Sequence, residues 1–102
     1  MLLATQNITQ GDVRRYVIDY SQWLNKGFVL ASATVTLALT TGGAATSTVS
    51  GTVLDDSKTQ VYTFITAGAL NEAFTASLQV KDTDGQTVND TLNFTVVSPS
   101  TG

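Results

Sequence analysis

The side chains in this sequence that could do chemistry are mainly carboxylates, and most of them lie in short polar segments. Asp82 and Asp84 belong to an Asp-Thr-Asp-Gly segment, Asp55 and Asp56 are adjacent, and Asp90 follows. Oxygen atoms from several such acids could bind Ca²⁺, a hard cation. The Asp-Thr-Asp-Gly segment lacks the further spaced carboxylates of a calcium-binding loop, and Asp-Gly is itself a turn sequence. We therefore interpret these acids as solvated turn residues and predict no metal site.

No residue combination in the chain supports a familiar catalytic mechanism. The 102 residues include no Cys and no His, which removes thiol nucleophiles, imidazole bases, disulfides and the usual ligands of zinc. Glycoside hydrolysis would need an acid with a raised pKa in a cleft, and the acids here fall in predicted turns or at strand ends. We predict that the protein is not an enzyme, with no catalytic residue and no cofactor.

The aromatic residues offer one candidate binding surface. Tyr16, Tyr20, Tyr62 and Trp23 could form an exposed platform on which a sugar ring stacks. In a domain of this size, however, aromatic side chains usually fill the core or an interface. A coplanar, exposed pair of Tyr20 and Trp23 would support sugar binding, whereas burial of the pair under one end of the domain would support a scaffold role.

The composition favours strands and argues against nucleic acid and membrane partners. Charged residues make up 13% of the chain, against about a quarter in ordinary proteins. Thr and Ser fill many polar positions, and β-branched side chains suit a pleated sheet better than a helix. The net charge is −3, and the five Lys and Arg residues are scattered apart from the pair Arg14–Arg15. The chain therefore has no basic patch for nucleic acid, and no apolar run long enough to span a membrane.

Two stretches alternate apolar and polar residues regularly and predict the clearest strands. In the first, the apolar face carries Ala31, Ala33, Val35, Leu37 and Leu39. In the second, it carries Phe74, Ala76, Leu78 and Val80. Weaker patterns predict strands over 13–20, 47–54 and 59–66, and the second of these would place Val49, Gly51 and Val53 on one face.

The dipeptide Asp84-Gly85 after the second alternating stretch predicts a hairpin, because Gly accepts the positive φ that such a turn requires. The return strand would cover 86–97. Its apolar face carries Val88, Leu92, Phe94 and Val96. Asp90 falls on the same face and interrupts it, which indicates a bulge or an edge strand.

Residues 21–27 predict a short helical turn after the first strand of the domain. A Ser start, a bulky centre and an Asn-Lys-Gly end are typical of such a turn, with Trp23 and Leu24 as anchors that close one end of the sandwich. Asp19 could cap this turn or pair with Arg14 or Arg15, and we favour capping.

Together these elements predict an all-β fold, an immunoglobulin-like Greek-key β-sandwich of about seven antiparallel strands. A barrel is the competing architecture. The predicted organisation is an N-terminal arm or edge strand over 1–12, the sandwich over 13–97 and a flexible tail over 98–102.

Two segments of the chain resemble a known family, the small tailed-phage proteins of the fibre-tail adaptor type, which are Ig-like domains. The segment 19–35 is similar to the family's Asp-aromatic-Ser-x-Trp-Leu pattern. The residues that match are Asp19, Trp23, Leu24 and Gly27. The segments 74–86 and 92–96 resemble its penultimate strand, Asp-Gly hairpin and last strand, with Asp84 and Gly85 at the turn. Many bacterial Ig-like repeats share that second pattern, so the Trp segment discriminates.

The resemblance implies a bacteriophage virion structural protein that docks onto other particle proteins, in several copies ordered by the symmetry of the particle. Free sheet edges and a low surface charge suit such an interaction role. A capsid decoration or cement protein is the alternative of the same class, and a host-surface carbohydrate-binding module is the alternative of a different class. The first residues lack the basic and apolar regions of a signal sequence, so we expect synthesis in the host cytoplasm.

Overall fold

The structure, a computed structural model, describes residues 2–99, so most of the predicted tail lies outside the described residues. The described residues form seven strands and no helix. In chain order these are β1 (Leu2–Thr9), β2 (Val13–Asp19), β3 (Leu30–Leu39), β4 (Thr48–Leu54), β5 (Gln60–Thr66), β6 (Ala73–Asp82) and β7 (Thr87–Val97). The predicted all-β fold is confirmed.

The strands form two sheets that face each other. One sheet has the order β1-β7-β6-β3 and the other has the order β2-β5-β4. An immunoglobulin constant-type sandwich places strands B, E and D in one sheet and C, F and G in the other. Here β2, β5 and β4 take the first set of positions, and β3, β6 and β7 take the second. The chain therefore passes between the sheets at four of its six connections, as in a Greek key.

The first strand departs from the antiparallel arrangement that we predicted. β1 lies at the edge of the four-stranded sheet and runs parallel to β7, with Ile8 beside Val96, whereas the other four strand pairs are antiparallel. The prediction of antiparallel strands throughout was therefore wrong for this pair. The physical reason is that β1 and β7 lie at opposite ends of the described chain, so no hairpin fixes their relative direction.

The core fills the space between the sheets and is richest along β6 and β7. The predicted apolar faces of these strands are buried, and the rings of Phe74 and Phe94 stack with their centroids 5.1 Å apart. Tyr16 of β2 meets Phe94 edge-on at the same centroid distance. In β5, Val61, Thr63 and Ile65 face the core. The apolar alternation at 74–80 thus identified the centre of the fold.

Two strands contain register shifts that the sequence pattern did not indicate. In β3 the shift lies between Leu30 and Ser32, so Leu30 is buried and Ala31 is exposed, contrary to prediction. In β4 the shift lies between Ser50 and Val53. Val53 consequently points outward, and Thr52 points inward instead. A simple alternation cannot survive an extra residue, because the bulge reverses the face of every residue after it.

The end of the sandwich away from the Asp-Gly hairpin is held by a single carboxylate. Glu72, before β6, accepts four hydrogen bonds from the backbone N–H and hydroxyl groups of Thr46 and Ser47, at 2.6–3.0 Å. The two hydroxyl oxygens accept in turn from the backbone N–H groups of Gly68 and Ala69. Gly68 has no room for a side chain, since a Cβ there would lie 2.6 Å from the carbonyl carbon of Thr46. The β3–β4 and β5–β6 connections are thereby joined.

Burial of the Glu72 carboxyl by itself raises its pKa, but the hydrogen bonds from Thr46 and Ser47 together outweigh that effect. They lower the pKa from its ordinary 4.5 to about 2. Because the folded protein binds this proton more weakly than the unfolded chain does, the stabilisation is complete above about pH 4.5 and is lost as the pH falls towards 2.

We predict that Glu72→Gln lowers the free energy of unfolding at pH 7 by about 1–3 kcal/mol, because an amide brings an N–H group towards donors that need an acceptor. The variant is also expected to lose the part of the acid destabilisation that falls between pH 4.5 and 2 in the wild type. Urea unfolding at a series of pH values measures both effects.

The matched control is Asp56→Asn, which removes an exposed carboxylate and is expected to change stability by less than about 0.5 kcal/mol. Equal losses in the two variants, or an unchanged pH profile in Glu72→Gln, would contradict the role assigned to Glu72.

Candidate functional site

The two segments that carry the family resemblance lie far apart in the sequence and meet at one end of the sandwich. The amide of Asn25 donates to Asp84 Oδ2 at 3.3 Å. Val29 and Thr83 exchange two hydrogen bonds, from the Val29 N–H to the Thr83 hydroxyl and from the Thr83 N–H to the Val29 carbonyl. The Trp-containing segment is therefore attached to the hairpin by Asn25 and Thr83, which sequence reasoning did not identify.

The Trp segment makes one tight turn. The backbone N–H groups of Trp23 and Leu24 both donate to the carbonyl of Tyr20, at 3.0 and 3.1 Å. Asp19 Oδ1 accepts from the Ser21 N–H at 2.8 Å and so caps the start of the turn. Gly27 has a φ of 88° and ends the segment in a conformation that side chains disfavour. Leu24 and Trp23 are partly buried against the core.

The carboxylates of the hairpin are occupied in shaping the turn. Asp82 is buried, and its Oδ1 accepts from the N–H groups of Asp84 and Gln86 at 3.0 and 2.7 Å. The Gln86 side chain donates to Asp82 Oδ2 at 3.2 Å. Gly85 supplies the positive φ, 90°. The part of the chain that the structure describes contains no group of three or more potential metal-ligating side chains.

Asp90 has a different function from the one that we predicted. It lies in the middle of β7, which has a neighbour on each side, and the β6–β7 register is continuous through the pair Leu78–Asp90. The prediction of a bulge or an edge at Asp90 was therefore wrong. The carboxylate is 4% exposed and accepts a 2.8 Å hydrogen bond from the hydroxyl of Tyr20 on the opposite sheet. This bond allows an acid to occupy an inward-facing position without breaking the strand.

Tyr20 is also buried, with 5% of its surface exposed. Desolvation raises the pKa of its phenol well above the ordinary value, and the neighbouring Asp90 carboxylate raises it further. Tyr20 consequently remains a hydrogen-bond donor at every pH at which the protein is folded.

Trp23 meets Tyr20 edge to face, with ring centroids 5.9 Å apart and planes inclined at 73°. The pair therefore does not form the coplanar, exposed platform that a sugar would need. Beside Trp23 is an open pocket of about 370 Å³, which we call the Trp pocket. Its lining residues are Leu3, Asp19, Tyr20, Gln22, Trp23, Val88 and Asp90.

The outer faces of the two sheets differ in character. On the four-stranded sheet, the exposed residues around a shallow depression are polar: Thr34, Thr36, Ser77, Gln79, Asn89 and Thr91. On the three-stranded sheet, a group of apolar side chains is exposed, which we call the apolar face: Val13 (61% exposed), Val17 (46%), Val53 (52%), Phe64 (37%) and the half-buried Tyr62. Strand register places Val17, Tyr62 and Val53 in one row across the sheet.

One cation lies within the apolar face. The guanidinium of Arg15 is 5.3 Å from the centre of the Tyr62 ring, a cation–π arrangement. Within residues 2–99, the only ion pair found involves Arg14 and Asp12, so Arg15 has no carboxylate partner there. Apolar side chains surround a charged group that the domain itself does not neutralise.

An Ig-like sandwich with hydrogen-bonded ends and one apolar sheet face is a structural interaction module. Its family follows from the sequence as a whole: the family model of the podophage GP4 fiber-tail adaptor protein gp77 matches residues 9–95. The chain belongs to this family and is a bacteriophage tail adaptor structural protein, as the resemblance of the Trp segment and hairpin implied. No curated protein matches it in sequence. Within residues 2–99, no helix is long and apolar enough to cross a membrane.

We predict that Tyr20→Phe lowers the free energy of unfolding by about 1–3 kcal/mol, because the buried Asp90 carboxylate loses this donor. The control is Tyr62→Phe, which removes a hydroxyl bonded to Gln60 at 3.3 Å in a less buried position and is expected to cost less than about 0.5 kcal/mol. Chemical denaturation measures both.

A double-mutant cycle with Asp90→Asn tests whether the bond itself is responsible. The two substitutions are expected to be coupled by about 0.5–3 kcal/mol, as contacting residues usually are. Strictly additive losses would show that Tyr20 stabilises the fold through its ring alone.

Proposed function

We propose that the protein is a non-enzymatic adaptor that docks onto another virion protein through the apolar face of its three-stranded sheet. The observation that carries this proposal is the row of exposed apolar side chains across three strands, with Val17 and Val53 on either side of Tyr62. Contiguous exposed apolar surface marks interaction sites on soluble domains. Tyr and Arg are enriched among the residues that contribute most to binding.

Arg15 specifies part of the partner's chemistry. Covering the apolar face would remove water from the guanidinium, and a charge buried without a partner is strongly unfavourable. No carboxylate within residues 2–99 pairs with Arg15, so the docking protein is expected to supply one. A carboxylate from the partner, surrounded by apolar side chains, would then form a bidentate pair with Arg15.

The remaining parts of the proposal follow from composition and from the family. The protein would be made in the host cytoplasm and assembled in several copies according to the particle's symmetry. Scattered Lys and Arg residues do not favour nucleic acid or membrane as a partner. A capsid decoration protein would use the same apolar face at a different place in the particle. The inclined rings of Tyr20 and Trp23 give no support to the carbohydrate-binding alternative.

The proposal is tested with the double variant Val17→Asp/Val53→Asp, supplied to a phage that lacks the wild-type gene. Desolvating two carboxylates opposite an acidic partner is expected to reduce the amount of the protein in purified particles by at least about tenfold, equivalent to about 1.4 kcal/mol. Quantitative immunoblotting measures incorporation, and electron cryo-microscopy of wild-type particles locates the chain.

The matched control is Thr34→Asp/Thr36→Asp, which places two acids on the exposed outer face of the other sheet and is expected to leave incorporation unchanged. Thermal unfolding of both purified variants checks that they fold equally well. Normal incorporation of Val17→Asp/Val53→Asp would reject the apolar face as the docking surface, and absence of the wild-type protein from particles would reject the adaptor function.

A further inference from the structure

The Trp pocket combines three kinds of surface that the proposed docking through the apolar face does not use. Leu3 of β1 and Val88 of β7 provide apolar walls, and both are partly buried against the core. Trp23 provides an aromatic wall. Asp19 and Asp90 contribute carboxylates, from the end of β2 and the middle of β7. The pocket thus brings together residues from both sheets and from the Trp turn.

The charge of the Trp pocket is not balanced from within. None of the five Lys and Arg residues is among those that line it. The backbone N–H of Ser21 donates to Asp19 and lowers the pKa of that carboxyl below its ordinary value, so Asp19 is ionised at neutral pH. Asp90 lies deeper and is bonded to the Tyr20 hydroxyl. A ligand that complements this pocket needs a positive charge near Asp19.

We propose that the Trp pocket receives an arginine side chain from a neighbouring particle protein. The methylene stem of an arginine matches the apolar walls at Leu3 and Val88. Its planar guanidinium can stack on the indole of Trp23 and pair with the Asp19 carboxylate, which a lysine ammonium does less well. The pocket volume of about 370 Å³ lies near the lower end of the range for small-ligand sites, about 300–1,000 Å³, and suits one long side chain rather than a folded segment.

This inference rests on the proposed function only in taking the arginine to belong to a virion protein. The binding chemistry is independent of the apolar face, so the purified protein can be tested alone. The chain contains a single Trp, whose fluorescence therefore reports on the pocket without interference from another Trp.

The test is a fluorescence titration of the purified full-length protein with the peptide acetyl-Gly-Arg-Gly-amide. We expect a saturable change in Trp23 emission with a Kd on the order of millimolar, as suits one side chain. The same peptide with citrulline in place of arginine keeps the shape and removes the charge, and it is expected to bind at least about fivefold more weakly. Absence of a saturable change, or equal binding of the two peptides, would overturn the proposal.

Asp19→Asn is the matched variant, because an asparagine oxygen can still accept the hydrogen bond from Ser21 while the charge is lost. It is expected to weaken the arginine peptide about fivefold, whereas Asp56→Asn, an exposed acid outside the pocket, should not. Amide chemical shifts are expected to move at Leu3, Gln22 and Val88 and to stay constant at Gly68. Shifts confined to other regions would overturn the assignment.

The two proposals fail separately. If the peptide binds as expected but Val17→Asp/Val53→Asp enters particles normally, the pocket stands and docking through the apolar face is rejected. If incorporation depends on the apolar face but no arginine peptide binds, the adaptor function stands and the pocket proposal is rejected.

Discussion

The hydrogen bond between Tyr20 and Asp90 fixes the arrangement on which one whole end of the molecule depends. It joins residues 70 positions apart and connects the end of one sheet to the centre of the other. Both partners are buried, so the bond forms where competition from water is weak and where an unpaired carboxylate would be costly. The carbonyl of Tyr20 also accepts the N–H groups of Trp23 and Leu24. The Trp turn is therefore built on a residue whose position is already fixed.

The opposite end is joined by different chemistry. Glu72 satisfies four donors from Thr46 and Ser47, and the hydroxyls of these residues satisfy the backbone of the neighbouring connection. Neither end uses an ion pair, which agrees with a chain in which few residues are charged. Hydrogen bonds between loops need less surface charge than salt bridges do, so the sheets can present neutral faces to neighbouring proteins.

The sequence predicted the parts of the structure that follow from a simple period. The alternation at 74–80 and 88–96 identified the core faces of β6 and β7, because a strand buried on one side repeats every two residues. The turn at Asp84-Gly85 was predictable for a similar reason, since few other dipeptides suit it. What was missed involves contacts between distant residues. Nothing local in the sequence indicates that Tyr20 meets Asp90, that Asn25 meets Asp84, or that β1 runs parallel to β7.

The register shift in β4 connects the fold to the surface that we assign to docking. Gly51 has a φ of 63°, and a Cβ there would lie 3.1 Å from the Phe64 ring, so glycine both permits the bulge and leaves space for that ring. Beyond the bulge, Thr52 turns inward and its hydroxyl bonds to that of Thr63 at 2.9 Å, while Val53 turns outward beside Tyr62. Without the bulge, Val53 would belong to the core and a polar residue would lie in the outer row. The strand therefore places a hydroxyl in its interior and a valine in solvent, an exchange that is unfavourable for an isolated domain. It becomes favourable when another protein covers the face, because burial of Val53 against that partner then contributes to binding.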